Sequence, residues 1–72
     1  MEGDDWLGTR DVVRTALLSL PDDHRDALLL RVEAGLSYEE IASMKYVSTE
    51  TVRVWVHRAR KEVARRLAGA ER

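Results

Sequence analysis

The sequence predicts an all-α fold, a small four-helix domain with a C-terminal helix-turn-helix. The chain contains one proline and is rich in Ala, Leu, Arg and Glu, which favour helices. Its apolar residues recur at helical spacing, and no alternating strand pattern is present. Two serines, Ser37 and Ser48, each precede a new helical segment. Only about three residues separate these two segments, which is the length of a helix-turn-helix connection.

The first two helices are predicted on either side of Pro21. Helix one runs from about Arg10 to Ser19, with Thr9 as its N-cap, and Pro21 ends it. Pro21 also suits the first turn of helix two, where a missing N–H has no consequence. Helix two continues to about Ala34, and Gly35 follows as a left-handed cap. The residues expected to face the core are Val13, Ala16, Leu17 and Leu20 in helix one, and Leu28, Leu29 and Val32 in helix two.

Capping signals define the two last helices. Ser37 and Glu40 form a capping box at the start of helix three, which ends near Met44 or Lys45. Ser48 caps helix four, which is predicted from Thr49 to Leu67. Apolar pairs should staple the first turn of each helix, Leu36 with Ile41 and Val47 with Val52. The expected inward residues are Ile41, Ala42 and Met44 in helix three, and Val52, Val56, Ala59, Val63 and Leu67 in helix four.

Charge is divided unevenly along the chain. Residues 1–44 hold 4 Lys/Arg and 10 Asp/Glu, whereas residues 45–72 hold 8 Lys/Arg and 3 Asp/Glu. This asymmetry is expected when one basic element meets nucleic-acid phosphate. The alternative is a charged helix face that is merely solvated. We predict the domain at residues 9–68, with a flexible N-terminus at 1–8 and a C-terminal tail at 69–72.

Several function classes lack support. There is no cysteine, and the two histidines are far apart, so neither a zinc finger nor another metal site is predicted. No cofactor-binding motif, nucleophile–base pair or paired carboxylates suggest an enzyme. No apolar run approaches the roughly 18 residues of a membrane span. The acidic N-terminus lacks the apolar segment of a signal peptide, so a cytoplasmic protein is expected.

A set of short motifs makes the prediction more specific. They are Leu20-Pro21, Arg25, Leu-Leu-Leu-Arg at 28–31, Gly-Leu-Ser-Tyr-Glu-Glu-Ile-Ala at 35–42, Val47-Ser48, Thr-Val-Arg at 51–53 and His-Arg-Ala-Arg at 57–60. Together they resemble region 4 of bacterial sigma factors, and within that family the extracytoplasmic-function group. Response-regulator output domains share the four-helix plan but usually lack Leu-Pro and Arg-Ala-Arg.

The resemblance implies a role in transcription initiation without catalysis. Region 4 reads the −35 promoter element through its last helix, docks on the flap of the RNA polymerase β subunit, and is a target of anti-sigma factors. The partners implied are therefore double-stranded promoter DNA, RNA polymerase and an anti-sigma factor. No segment resembles region 2, so we expect a separated domain, a fragment or a stand-alone relative.

The candidate DNA contacts lie around the start of helix four, since the N-terminal part of a recognition helix reaches base edges. Arg53 suits guanine, Glu50 a cytosine amino group and Val54 a thymine methyl. The predicted base-reading residues are Thr49, Glu50, Arg53, Val54 and His57. The predicted phosphate contacts are Lys45, Ser48, Thr51, Arg58 and Lys61. Ser48 also has its capping role.

This chain departs from the family pattern at three places. Lys45-Tyr46 replaces Leu-Gly in the turn, Glu50 replaces Gly, and Val54-Trp55 replaces Ser-Arg. A tyrosine in the left-handed conformation of that glycine would be strained by about 1 kcal/mol, so a turn of different register is expected. These changes bear on base reading more than on the fold.

The same departures support an alternative function. Trp55 and Tyr46 are predicted partner contacts, because exposed aromatic residues are enriched at interface hot spots. Trp55 flanking the core is the other interpretation of that residue. In this alternative the chain is a protein-interaction module that binds an anti-sigma factor or another regulator, with weak or no DNA reading.

Overall fold

Helices form most of the backbone of residues 2–70, which the computed structural model describes, with side chains described for residues 10–69. In chain order they are α1 (Glu2–Ser19), α2 (Asp22–Val32), α3 (Tyr38–Lys45) and α4 (Thr49–Ala70). No strand occurs within these residues, so the predicted all-α four-helix fold is confirmed. None of the described helices combines the length and apolar character needed to cross a membrane.

The longest helix, α4, lies at the centre of the helix packing. It packs against each of the other three helices, and α2 also packs against α3. Ile41 of α3 and Val52 of α4 are completely buried, and Val56 is nearly so. Removing each such side chain from water stabilises the fold by about 1.5–3 kcal/mol. The rest of the buried cluster is small or aliphatic and comprises Leu20, Ala27, Leu28, Ala42 and Ala59.

The corner between α1 and α2 is held by Arg25. Its guanidinium donates hydrogen bonds to the carbonyl oxygens of Leu17, at 3.3 Å, and Leu20, at 3.2 Å. The Leu17 carbonyl also accepts from the Leu20 N–H at 3.2 Å, so Arg25 adds a second donor there and supplies one to the Leu20 carbonyl just beyond the end of α1. Pro21 stands at the N-cap position of α2. The arrangement gives a structural reason for an arginine shortly after Leu-Pro.

Both predicted serine caps are confirmed. At α3 the Ser37 hydroxyl accepts a hydrogen bond from the Glu40 N–H at 3.0 Å, and the Glu40 carboxylate accepts one from the Ser37 N–H at 2.8 Å. This is the complete capping box. At α4 the Ser48 hydroxyl accepts from the Thr51 N–H at 3.1 Å. The start of each helix in the helix-turn-helix is therefore fixed by local bonds.

The turn between α3 and α4 contains a left-handed tyrosine. Tyr46 has φ 58° and ψ 43°, and no other non-glycine residue in the described chain has a positive φ. The Val47 N–H donates to the Ala42 carbonyl at 3.0 Å and the Tyr46 N–H to the Ser43 carbonyl at 3.4 Å. These two bonds form a Schellman motif. The expected change of register is wrong, because Tyr46 itself adopts the conformation that favours glycine.

Several expectations about the first two helices need correction. Helix α1 begins at Glu2, so Thr9 lies inside it and is not its N-cap. Helix α2 ends at Val32, two residues before the predicted Ala34. Gly35 does take the predicted left-handed conformation, with φ 70°.

Other corrections concern residue orientation and the end of α4. Val32 and Met44 were expected to face the core, but they are 61% and 55% exposed. The last helix continues to Ala70, beyond the predicted Leu67. The predicted domain limits at 1–8, 9–68 and 69–72 remain predictions.

Candidate nucleic-acid interface

The outward face of α4 is separated cleanly from its buried face. Val52, Val56 and Ala59 point into the core. Residues that follow at steps of four, three and four lie on one face of a helix. Such a row runs along the opposite side of α4 and is exposed throughout; we call it the outer stripe, and it consists of Glu50, Val54, His57 and Lys61. Three of the five predicted base-reading residues belong to it.

Cations flank the outer stripe. Arg53 and Arg58 are exposed on its two sides, and Arg60 is exposed further round the helix. Within residues 10–69, neither these arginines nor Lys61 form an ion pair with a carboxylate. The positive charge in the first half of α4 is therefore not neutralised by the described part of the domain. Glu50 is the one carboxylate on the same surface.

The hydroxyl residues at the start of α4 are already engaged with one another. Ser48 and Thr51 share a hydrogen bond of 2.9 Å between their hydroxyl oxygens. Ser48 is exposed, whereas Thr49 and Thr51 are half-buried. The first turn of α4 therefore presents the Ser48 hydroxyl to solvent more fully than either threonine. Of the three hydroxyls, Ser48 is the best placed to meet a phosphate.

Lys45, a predicted phosphate contact, is paired inside the domain. Its ammonium group lies 3.1 Å from an Asp26 carboxylate oxygen and 3.2 Å from one of Asp23, both on α2. Hydrogen bonds from the ammonium group to Asp26 and then Asp23 raise the pKa of Lys45 above its usual value. Only 24% of its side chain is exposed. The structure thus separates Lys45 from Arg53, Arg58 and Lys61, which have no ion-pair partner in the described part of the chain.

Arg53 contacts an aromatic ring that the sequence did not connect to it. Its guanidinium carbon lies 5.6 Å from the centroid of the Tyr38 ring, and that of Arg31 lies 5.0 Å from the same centroid. Both distances fall within the range of cation–π attraction. Arg31, Tyr38 and Arg53 come from three different helices, so no local spacing signals their contact. Tyr38 was missed as a neighbour of the proposed base-reading arginine.

The two predicted partner residues differ in exposure. Trp55 is half-buried and packs against the core, with its ring centroid 6.4 Å from that of His24 on α2. This placement agrees with the interpretation of Trp55 as a residue that flanks the core. Tyr46 is 94% exposed and extends from the turn into solvent. Val54, on the outer stripe, is 45% exposed.

The second half of α4 carries its own ion-pair network. Glu62 accepts hydrogen bonds from Arg65 and from Arg66, the latter at 2.9 Å. Hydrogen bonds from Arg65, and then Arg66, lower the pKa of Glu62 to about 2. These two arginines are thus partly neutralised, unlike Arg58 and Lys61. No group of three potential metal ligands occurs among the described side chains.

Comparison with known proteins identifies the family. The model of the family described as Sigma-70, region 4 matches residues 10–63, most of the chain. The chain belongs to this family. The matched residues of this region 4 domain include all of α2 and α3, the helix-turn-helix turn and the exposed first half of α4.

Curated relatives of the region 4 domain are RNA polymerase sigma factors. It is 40% identical over 57 residues to RNA polymerase sigma factor YlaC of Bacillus subtilis (strain 168), covering 79% of this chain and 33% of the relative. It is 44% identical over 54 residues to the ECF RNA polymerase sigma-E factor of Escherichia coli (strain K12), covering 75% of this chain and 28% of the relative. The domain therefore spans about a third or less of these relatives.

Proposed function

We propose that the chain is the promoter-reading module of a sigma factor and recognises a −35 element by placing α4 in the major groove. The observation that carries this proposal is the arrangement of α4 itself. One side of the helix is buried, and the other presents the outer stripe between arginines that pair with no carboxylate among residues 10–69. Family membership and the names of the relatives support a role in transcription initiation.

The proposed base contacts come from the outer stripe and its edge. Arg53 donates two hydrogen bonds to a guanine, and Val54 packs on a thymine methyl group. Glu50 accepts from a cytosine amino group, and Thr49 and His57 lie at the limits of the reading surface. This assignment uses the N-terminal half of α4, as helix-turn-helix docking requires.

The proposed phosphate contacts hold the helix in register. Arg58 and Lys61 have no described carboxylate partner, and Ser48 and Thr51 stand at the N-terminus of α4, where backbone N–H groups also attract anions. Lys45 contributes less, because Asp23 and Asp26 already neutralise its charge. Such contacts fix orientation without reading sequence.

The remaining partners follow from the same role. We propose that the domain docks on RNA polymerase at its β flap and that an anti-sigma factor regulates it. The role needs no cofactor and no catalysis, and it belongs in the cytoplasm, where promoter DNA is found. Both relatives described above carry RNA polymerase in their names, which supports the first partner.

The test is a selection of duplexes from a randomised pool, followed by binding measurements at several salt concentrations. We expect one motif to be enriched and the affinity to fall steeply with salt, because bound phosphates release counterions. Arg53→Ala should cost about 1–3 kcal/mol at one base pair and relax preference there. Lys61→Ala should weaken all duplexes alike and reduce the salt slope by about 1.

Arg65→Ala is the matched control for these variants. Arg65 lies on the same helix but pairs with Glu62 away from the first turns of α4. Its replacement should leave the preferred motif unchanged, and it should change the salt slope less than Lys61→Ala does. If the pool yields no motif and binding is insensitive to salt, the promoter proposal is overturned.

A second candidate function is a protein-interaction module, favoured by one observation. Tyr46 is almost fully exposed in the turn, although a tyrosine there has no packing within the described domain that offsets its strained backbone. In this function Tyr46, Val54 and the exposed part of Trp55 contact a regulator, and DNA reading is weak or lost. A pull-down that recovers a regulator with the wild-type chain and not with Tyr46→Ala, together with no duplex shift by the wild-type chain at low salt, would select this function.

A further inference from the structure

Tyr38 stands where three helices meet. It is the first residue of α3, and its ring lies 5.0 Å from the guanidinium carbon of Arg31 on α2 and 5.6 Å from that of Arg53 on α4. A guanidinium within about 6 Å of a ring centroid is attracted by the negative face of the ring. One aromatic ring therefore contacts cations from both neighbouring helices.

The ring is the fixed partner in this arrangement. The capping box of Ser37 and Glu40 fixes the backbone on both sides of Tyr38, and the Tyr38 side chain packs against the hydrophobic core. Arg31 is also held, because its guanidinium donates a hydrogen bond to the Leu36 carbonyl at 3.0 Å. The capping box and the Arg31–Leu36 hydrogen bond thus anchor the ring and its first cation, and neither involves a residue of α4.

Arg53 is the exposed partner in this arrangement. Its side chain is exposed, and no carboxylate among residues 10–69 forms an ion pair with it. A bidentate contact to guanine requires the planar guanidinium to be presented in one orientation. Ordering a long side chain only on binding reduces the affinity of the complex, and the reduction is smaller when the side chain is already held in place. The Tyr38 ring is the described contact that can hold Arg53.

We propose that Tyr38 is a positioning residue for Arg53 and sharpens its preference at the base pair it reads. This inference rests on the proposed function, because it assigns the Tyr38 ring a task in DNA reading. The ring acts through its face, so the hydroxyl group is not required. Loss of a cation–π contact at an exposed site corresponds to a change of about two- to five-fold in affinity.

The first experiment needs no DNA. In the free chain, the ring current of Tyr38 should shift the Arg53 side-chain methylene protons upfield in the NMR spectrum. The shift should persist in Tyr38→Phe, which keeps the ring, and disappear in Tyr38→Leu, which keeps an apolar side chain at the core. An unshifted Arg53 in the wild-type chain overturns the proposal, and this outcome does not depend on how well the leucine variant folds.

The second experiment measures discrimination at a single base pair. The probes are the duplex selected from a randomised pool and a set of single-base-pair changes to it, and Arg53→Ala identifies the base pair that Arg53 reads. Tyr38→Leu should reduce discrimination there by about two- to five-fold and leave the other positions unchanged. Tyr38→Phe should keep wild-type discrimination. In an Arg53→Ala background, Tyr38→Leu should have no further effect on discrimination.

The outcomes separate this inference from the function on which it rests. If the wild-type chain selects no duplex, the proposed function fails, and the positioning role fails with it. If the chain selects a motif but Tyr38→Leu weakens binding equally at every base pair, only the positioning role fails. The same holds if Tyr38→Phe loses discrimination as Tyr38→Leu does.

Discussion

Lys45 and Asp26 join the end of α3 to α2 through an ion pair of 3.1 Å between the ammonium nitrogen and a carboxylate oxygen. Asp23, one turn earlier on α2, lies 3.2 Å from the same nitrogen. The pair fixes the helix-turn-helix against α2 at the residue just before the left-handed turn. A cation that the sequence pattern assigned to DNA is used to hold the domain together.

Replacing Lys45 should therefore affect stability more than DNA binding. Lys45→Met keeps the apolar stem and removes the charge, and we expect it to lower the free energy of unfolding by about 0.2–1 kcal/mol, the usual range for partly exposed pairs. The salt dependence of duplex binding should be nearly unchanged. Chemical denaturation and binding at several salt concentrations measure the two effects.

Lys61→Met is the control for Lys45→Met. Lys61 is exposed on the outer stripe and forms no ion pair within the described residues. Its replacement should reduce the salt slope by about 1 and leave unfolding nearly unaffected. A reversed pattern, with Lys45→Met changing the salt slope and Lys61→Met changing stability, would contradict this division of roles.

Tyr46→Gly should stabilise the domain. The left-handed conformation costs a non-glycine residue roughly 1–2 kcal/mol, and the exposed Tyr46 side chain makes little contact that would be lost. The greater freedom of glycine in the unfolded chain offsets part of this gain, by up to about 1 kcal/mol. We expect a net gain of about 0.5–1 kcal/mol, measured as a higher midpoint of thermal or denaturant unfolding.

Two further variants test whether backbone strain is the cause. Tyr46→Ala removes the ring but keeps a Cβ, so it should give little of the gain seen with glycine. Gly35→Ala introduces the same strain at the other left-handed residue, with φ 70°, where an added Cβ has open space around it. It should destabilise the domain by about 1 kcal/mol. Equal stabilities of Tyr46→Gly and Tyr46→Ala would argue against the explanation.

Ser37→Ala should destabilise the domain by about 1 kcal/mol, because it leaves the Glu40 N–H without its described acceptor. Glu40→Gln keeps a side-chain oxygen that can accept from the Ser37 N–H, so it should have a smaller effect. Denaturant unfolding of the two variants measures the difference. Greater destabilisation by Glu40→Gln than by Ser37→Ala would show that charge at the start of α3 matters more than the cap.

Acid should weaken the end of α4 through Glu62. Its pKa falls from 4.5 to about 2 in the folded chain, so its contribution to stability is complete above pH 4.5 and is lost as the pH falls toward 2. We expect Glu62→Gln to be less sensitive to acid than the wild type across this interval. Thermal unfolding followed by circular dichroism at stepwise pH values measures the effect.

The partner of Glu62 provides the check on this pH dependence. Hydrogen bonding by Arg65 is the largest cause of the lowered pKa of Glu62, so Arg65→Met should reproduce part of the loss of acid sensitivity. High salt should weaken the effect in the wild type, because the pair is on the surface. If thermal stability falls with pH in both variants as steeply as in the wild type, the acid sensitivity lies elsewhere in the domain.

The start of each helix in the helix-turn-helix could be predicted because its signals are local. Ser37 and Glu40 are three residues apart, and Ser48 and Thr51 have the same separation, so residues close in sequence specify these hydrogen bonds. The inward face of α4 could be predicted equally well, because its valines repeat over several turns. The family motifs span the same segment, which is why fold and family were both identified.

The side of the helix that faces the core was harder to predict in the shorter helices α2 and α3. In α2 three consecutive leucines precede Val32, so more than one apolar stripe fits the sequence, and the buried face proved to be Ala27 and Leu28. In α3 only Ile41 and Ala42 are buried, and Met44 extends into solvent. One or two helical turns offer too few repeats to determine which face meets the core.

Contacts between side chains of different helices could not be predicted, because they have no fixed spacing in the sequence. Lys45 meets Asp26 across 19 positions, and Tyr38 meets Arg53 only after α3 and α4 have folded together. These contacts decide which of the basic residues remain available to a ligand. Charge counts therefore indicated a basic C-terminal segment correctly but could not distinguish Lys45 from Lys61.

Because the buried face and the outer stripe lie on opposite sides of one continuous helix, α4, recognition can be re-engineered without redesigning the scaffold. A library randomised at Glu50, Val54 and His57 would leave Val52, Val56 and Ala59 intact, so most of its members should retain the wild-type bundle. New target preferences would then be obtained by exchanging side chains on a preserved framework.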